Sequence, residues 1–154
     1  MKVEIINEQF DPWVSLVDYK KQKLNNDSKI GATSVFLGTM RDFNDDEEVE
    51  SMVLEHYPEM TEKYLTNILN DAIKKFKLID GIILHRIGDL KPSDPIVLVA
   101  TWSEHRDNAF KATREIMEFL KSEAPFWKKE SNSHGFKWVE PNDTTQKEEL
   151  NETS

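Results

Sequence analysis

The amino-acid sequence predicts a single domain of mixed helix and strand, α+β or α/β, and three observations lead there. The chain has 154 residues, the length of one ordinary domain and enough to bury most of the surface that an unfolded chain exposes. Hydrophobic residues make up 38% and charged residues 32%, a balance that supports a real core in water. Segments with strand character are interleaved with segments of helical spacing, with no internal repeat and no convincing linker between them.

Each element follows in order from its residues. Val3-Glu4-Ile5-Ile6 reads as a short strand. Asp11-Pro12 supplies a cap and a first helical residue, and Trp13, Leu16, Val17 and Leu24 follow at helical spacing. Residues 25–29 are polar and read as a turn, and residues 30–37 read as a strand between Gly31 and Gly38. Residues 41–50 form a hydrophilic loop holding Asp45-Asp46-Glu47-Glu48, which is expected to be mobile. After a strand at 52–57, Met60, Tyr64, Ile68, Leu69, Ala72, Ile73 and Phe76 repeat with the period of an amphipathic helix. Residues 81–87 read as a strand and 91–95 as a turn. The unbroken apolar run 96–100 predicts a strand buried on both faces. A second long helix runs from about Asp107 to Ser122 with Phe110, Thr113, Ile116, Met117 and Leu120 inward, and Pro125 ends it. Residues 135–139 make a last strand. The domain thus spans 1–140, and the polar, acidic residues 141–154 are expected to be a disordered tail.

Two totals exclude whole classes of function. Lys and Arg number 20 against 29 Asp and Glu, a net charge of −9. The summed field therefore opposes general binding to a nucleic acid backbone or an anionic membrane. There are no cysteines, which removes disulfides, thiolate metal sites, iron–sulfur clusters and cysteine nucleophiles. Any sulfur chemistry must use sulfur brought by another molecule. No stretch approaches the roughly 18 apolar residues of a membrane span, and the first residues lack the apolar run of a secretion signal, so a cytoplasmic protein is expected. There is no P-loop, no G-x-G-x-x-G and no H-E-x-x-H. The histidines His56, His85, His105 and His134 never fall four apart on a helix, so neither a metal nor a cofactor is expected.

The distinctive stretch is 103–130, where between residues 105 and 129 Arg106, Lys111, Arg114, Lys121, Lys128 and Lys129 outnumber Asp107, Glu115, Glu118 and Glu123 in an acidic chain. His105 and Arg106 precede a helix, whose free N–H groups favour an anion. They also suit an ordinary polar helix start. Lys111 and Arg114 fit ion pairs along a solvated helix face. Lys121 and Lys128 flank the apolar corner Ala124-Pro125-Phe126-Trp127. Such a corner can desolvate an amine and bring it into the range useful for proton transfer; equally, the aromatics could lid the core while the lysines reach water. Arg41, just after a strand and a glycine, is placed to meet a carboxylate or phosphate, or to pair with the acidic loop. In Glu55-His56-Tyr57, strand alternation puts His56 on the opposite face from the other two, so no acid–base role is assigned there.

These segments closely resemble one family. Residues 31–41 (GATSVFLGTMR), 54–60 (LEHYPEM), 85–88 (HRIG), 103–106 (SEHR) with Ala109-Phe110, and 120–130 with its APFWKKE stand in the order and spacing of the large, catalytic subunit of molybdopterin synthase, the MoaE family, over nearly all of the chain. The resemblance implies an α/β-hammerhead fold, α+β in class, with a mixed or antiparallel sheet, two long helices and a short N-terminal one. It implies a homodimer that binds two copies of a ubiquitin-like small subunit, forming a heterotetramer. The small subunit's C-terminal Gly-Gly thiocarboxylate donates sulfur to cyclic pyranopterin monophosphate. By resemblance Lys121 and Lys128 are catalytic, Arg41, His105 and Arg106 hold the pterin phosphate and the tail, and Phe36 and Met117 line the pocket. Family members commonly carry an arginine after the Trp-Val-Glu segment that reaches across the dimer. Here Trp138-Val139-Glu140 is followed by Pro141-Asn142, and Lys137 is the candidate substitute. An alternative of another class is a dimeric adaptor that binds the tail without turnover.

Overall fold

The apolar run expected to be buried on both faces lies at the centre of the molecule. The computed structural model describes residues 1–44, 47–132 and 135–139, with the backbone alone for Phe43, Asn44, Glu47, Trp127, Asn132 and 136–139. In chain order the elements are β1 (Lys2–Ile6), α1 (Pro12–Tyr19), β2 (Ala32–Thr39), β3 (Phe43–Asn44), β4 (Glu47–Glu48), β5 (Ser51–His56), α2 (Pro58–Lys75), β6 (Asp80–Arg86), β7 (Gly88–Leu90), β8 (Pro95–Ser103), α3 (Arg106–Ser122), β9 (Phe126–Asn132) and β10 (Gly135–Val139). The class is α+β, as expected.

One sheet has the order β1-β6-β8-β2, with β1 parallel to β6 and the other pairs antiparallel. Every residue of β8 from Val97 to Ser103 is buried. Val97 and Val99 join Ile83 against Leu65, Leu69 and Ala72 of α2 and Ile116 and Leu120 of α3. On the other face Leu98, Ala100 and Trp102 meet Tyr19 and Leu24. Each large side chain buried here contributes about 1.5–3 kcal/mol. The second sheet, β10-β9-β5-β7, is antiparallel throughout and closes a smaller core of Met40, Val49, Met52, Leu54 and Leu90.

The helices sit where their spacing puts them, with four displaced side chains. Met60 (62% exposed) is not inward; Thr61 takes that place and donates to the Pro125 carbonyl at 3.3 Å. Phe110 faces solvent because α3 presses closely on β8 through Ala109, Ala112 and Thr113, with Thr101 bonded to the Ala109 carbonyl and the Thr113 hydroxyl. Asp11 caps α1, accepting from Trp13 and Val14 N–H groups. Trp13 and Val17 are exposed, since the helix widens into a π-helical turn, Lys20–Leu24, that swings Leu24 inward. Asn25 and Asn26, both at positive φ, end it.

Four strands, β3, β4, β7 and β9, were not expected. The loop at 41–50 is partly structured: β3 pairs with β4, and buried Met40 and Val49 fasten its two ends. Asp45 and Asp46 lie outside the described residues, as does the tail 141–154. The start of β2 lies against the loop before α3. The Gly31 N–H donates to the Ser103 carbonyl at 2.9 Å, and a β-carbon on Gly31 would collide with the Glu104 carbonyl oxygen, so the approach requires glycine. Among the described residues no helix is long and apolar enough to cross a membrane.

Candidate functional site

Lys121 sits in the last turn of α3 and Lys128 three residues into β9. Between them the helix stops at Glu123, whose N–H bonds to Phe119, and the chain crosses from the layer covering the first sheet into the second. Strand alternation puts Phe126, Lys128 and Glu130 on one face, beside their β5 register partners His56, Leu54 and Met52. Both amines are held below the usual lysine range. For Lys121 the cause is first burial, then the charge of Lys128, then that of Arg41. For Lys128 it is burial, opposed by Glu130 and reinforced by Arg41. Lys121 is exposed and Lys128 half-buried, so solvent softens the effect more at Lys121.

Two histidines join this cluster that sequence reasoning did not place there. His85, on β6, is 7% exposed, and its Nδ1–H donates to the Arg86 carbonyl at 2.8 Å. A carbonyl can only accept, so the Nδ1–H tautomer is fixed. Its ring stacks on Phe126, centroids 4.0 Å apart and planes 14° from parallel. The His56 ring also lies near the pair, 6.3 Å from Phe126. Burial pushes His85 down to about 4, against the pull of the Arg86 carbonyl, with Lys121, Lys128 and His56 lowering it further. The folded chain therefore holds His85 neutral, whereas the unfolded chain protonates it below its ordinary value of 6.5. Its contribution to stability is complete above that value and is lost as pH falls toward 4. Urea midpoints at pH 7, 5.5 and 4.5 should fall in that order, less steeply in a His85→Phe variant.

The remaining candidates divide by position. Arg41 follows Met40 at the end of β2, with its charge facing both lysines. Phe36, 38% exposed, lies along β2 with its ring over Gly38. Met117 is one turn before Lys121 but belongs to the core between helices and sheet. Lys137 is opposite Glu130 in the β9–β10 register; its side chain lies outside the described residues. His105 and Arg106 are not brought to the lysines. They stand at the opposite end of α3, and the rise from Arg106 to Lys121 is about 22 Å along the axis. Lys111 and Arg114 pair with Asp107 and Glu118, as on a solvated helix. A pocket of about 320 Å³ elsewhere, lined by Leu24, Ile30, Thr33 and Trp102 among others, includes none of the candidates.

Two depressed amines, an arginine and a neutral imidazole around an aromatic corner define an anion-handling site equipped for proton transfer. The chain matches the MoaE protein family over residues 11–123. A molybdopterin synthase catalytic subunit of Ralstonia nicotianae is 54% identical over 112 residues, covering 73% of this chain and 64% of that protein; the matched stretch thus spans just under two thirds of that relative. One of Pseudomonas aeruginosa is 46% identical, covering 91% of each chain. The solved structure of a molybdopterin biosynthesis MoaE protein from Burkholderia ambifaria superposes with a TM-score of 0.76 at 38% identity, over 99% of this chain and 98% of that one. The chain belongs to the MoaE family.

Proposed function

We propose that the chain is the catalytic subunit of a molybdopterin synthase. It takes sulfur from the C-terminal thiocarboxylate of a ubiquitin-like small subunit and transfers it to cyclic pyranopterin monophosphate. The observation that carries the reading is the pair of amines delivered by α3 and β9 to one aromatic corner in a chain without cysteine. The sulfur must then arrive on the partner. The thiocarboxylate sulfur bonds to a substrate carbon as a carbon–oxygen bond there breaks, the displaced oxygen staying on the phosphate or leaving as water with a proton from a lysine; water then cleaves the resulting thioester, and the small subunit leaves as its carboxylate with the sulfur retained on the substrate. A second round completes the dithiolene. Lys121 and Lys128 move protons and stabilise the charge that develops, with Arg41 holding anionic oxygens beside them. Phe36, Met117 and Lys137 belong to the same reading as substrate contacts. The reading places the reaction in the cytoplasm, which cell fractionation checks.

His105 and Arg106 enter this reading through the homodimer. Set about 22 Å down α3 from the lysines, they serve the second copy's site, where an arginine and a helix N-terminus can hold phosphate or a carboxylate. Each dimer would carry two such sites and two small subunits. A complementation assay tests this. Lys121→Ala and Arg106→Ala proteins are each expected to be poor, the latter by about 10–100-fold for a lost charged hydrogen bond. Mixed dimers of the two are expected to regain one intact site. No recovery in isolated mixed dimers would mean that each site draws on one chain.

A further inference from the structure

We propose that His85 is a positioning residue for the lysine pair: its ring, wedged flat against Phe126, keeps water from beneath the amines and fixes the corner from which Lys128 enters. Its role in turnover rests on the synthase reading above; its effect on the amines does not.

The geometry gives the ring no other task. It is 7% exposed in the strand between β1 and β8, and its last strand partner on the β8 side is Val97. Beyond that point its Nδ1–H is bonded to the carbonyl of Arg86, which fixes the plane of the ring. That plane is the one Phe126 lies on, 4.0 Å away, and Phe126 is the first residue of the strand that bears Lys128. Lys121 from α3, Lys128 from β9 and His56 from β5 face the ring, with Arg41 and Glu130 behind the lysines. Arg86, next along β6, is turned to the carbonyls of Ile87 and Asp89.

Among so many cations the wedge must be flat, apolar on its faces and uncharged, yet able to donate to one carbonyl. Neutral imidazole meets all four conditions. A phenyl ring meets all but the donor. A smaller or a hydrated side chain opens the corner to water, and burial is the leading cause of the depression at both amines.

The test uses the full chain with His85→Ala, His85→Gln and His85→Phe. The pH dependence of reductive methylation at Lys121 and Lys128 is read by mass spectrometry of the peptides. Alanine and glutamine are expected to raise the methylation midpoints of both lysines by about 0.5–1 pH unit toward the ordinary lysine value. Phenylalanine should leave them at the wild-type position. Wild-type midpoints in the glutamine variant would overturn the proposal, and so would midpoints in the phenylalanine variant that move with the others. If the alanine variant does not fold, glutamine and phenylalanine decide. The titration needs no substrate, so a wild-type chain that made no molybdopterin would count against the synthase reading alone.

Discussion

Lys121→Ala is expected to lower molybdopterin formation about 10²–10⁴-fold, the span that a positioned acid or base commonly contributes, and Lys128→Ala similarly. The two are not independent, because the charge of Lys128 is the second cause of depression at Lys121. Removing Lys128 therefore also returns Lys121 toward the ordinary lysine range, leaving it protonated where it should exchange a proton. Arginine separates charge from proton transfer: Lys121→Arg keeps the cation but cannot deprotonate. It should be nearly as poor as alanine if proton movement is the amine's task, and markedly better if charge alone suffices. The measurement mixes each variant with thiocarboxylated small subunit and cyclic pyranopterin monophosphate, and reads the fluorescent oxidised product. Native mass spectrometry of the assembled complex checks that small-subunit binding survives. Wild-type turnover in both alanine variants would remove the catalytic assignment; tail binding with no turnover in the wild type would favour an adaptor.

The second large effect is expected from one methyl group far from the lysines. Gly31→Ala drives a β-carbon into the Glu104 carbonyl oxygen, which is backbone and cannot rotate away. The start of β2 must move off the 103–105 segment, stretching the Gly31–Ser103 hydrogen bond. The Ser103 hydroxyl, bonded to the His105 carbonyl at 2.5 Å, is displaced with it. Overpacking of this kind costs about 1–3 kcal/mol, which chemical unfolding would measure. The functional signature should be a raised KM with a smaller change in kcat, because the residues displaced, His105 and Arg106, are proposed to hold rather than to transform. A loss confined to kcat would place them in the chemistry instead.

The architecture was legible where local periodicity and burial agree. Ile68, Leu69 and Ala72 bury the face of α2 that its spacing selects, and the apolar run 96–100 is buried from Val97 to Ala100, with Ile96 half-buried at its start. β9 was not legible, because FWKKESN carries neither alternation nor an apolar run. It is a strand because β5 and β10 pair with it on both sides, a long-range cause that no window of residues contains. The site divides in the same way. Lys121 and Lys128 drew notice because charge beside Ala124-Pro125-Phe126 is locally odd. His56 and His85 gave no such signal: alternation in β5 separated His56 from its neighbours, and its company is supplied by β9. The one local trace of His85 was a polar residue inside an apolar strand.

The lysine pair straddles a seam. Lys121 rides on a helix packed over the first sheet, while Lys128 is part of the second, and no described strand of one sheet pairs with a strand of the other. The spacing of the amines is thus a gauge of how the layers are seated. Warming should loosen that seating before it melts a strand. Inactivation would then precede the collapse of secondary structure, and a molecule that clasped both layers should protect the site against heat by the same grip.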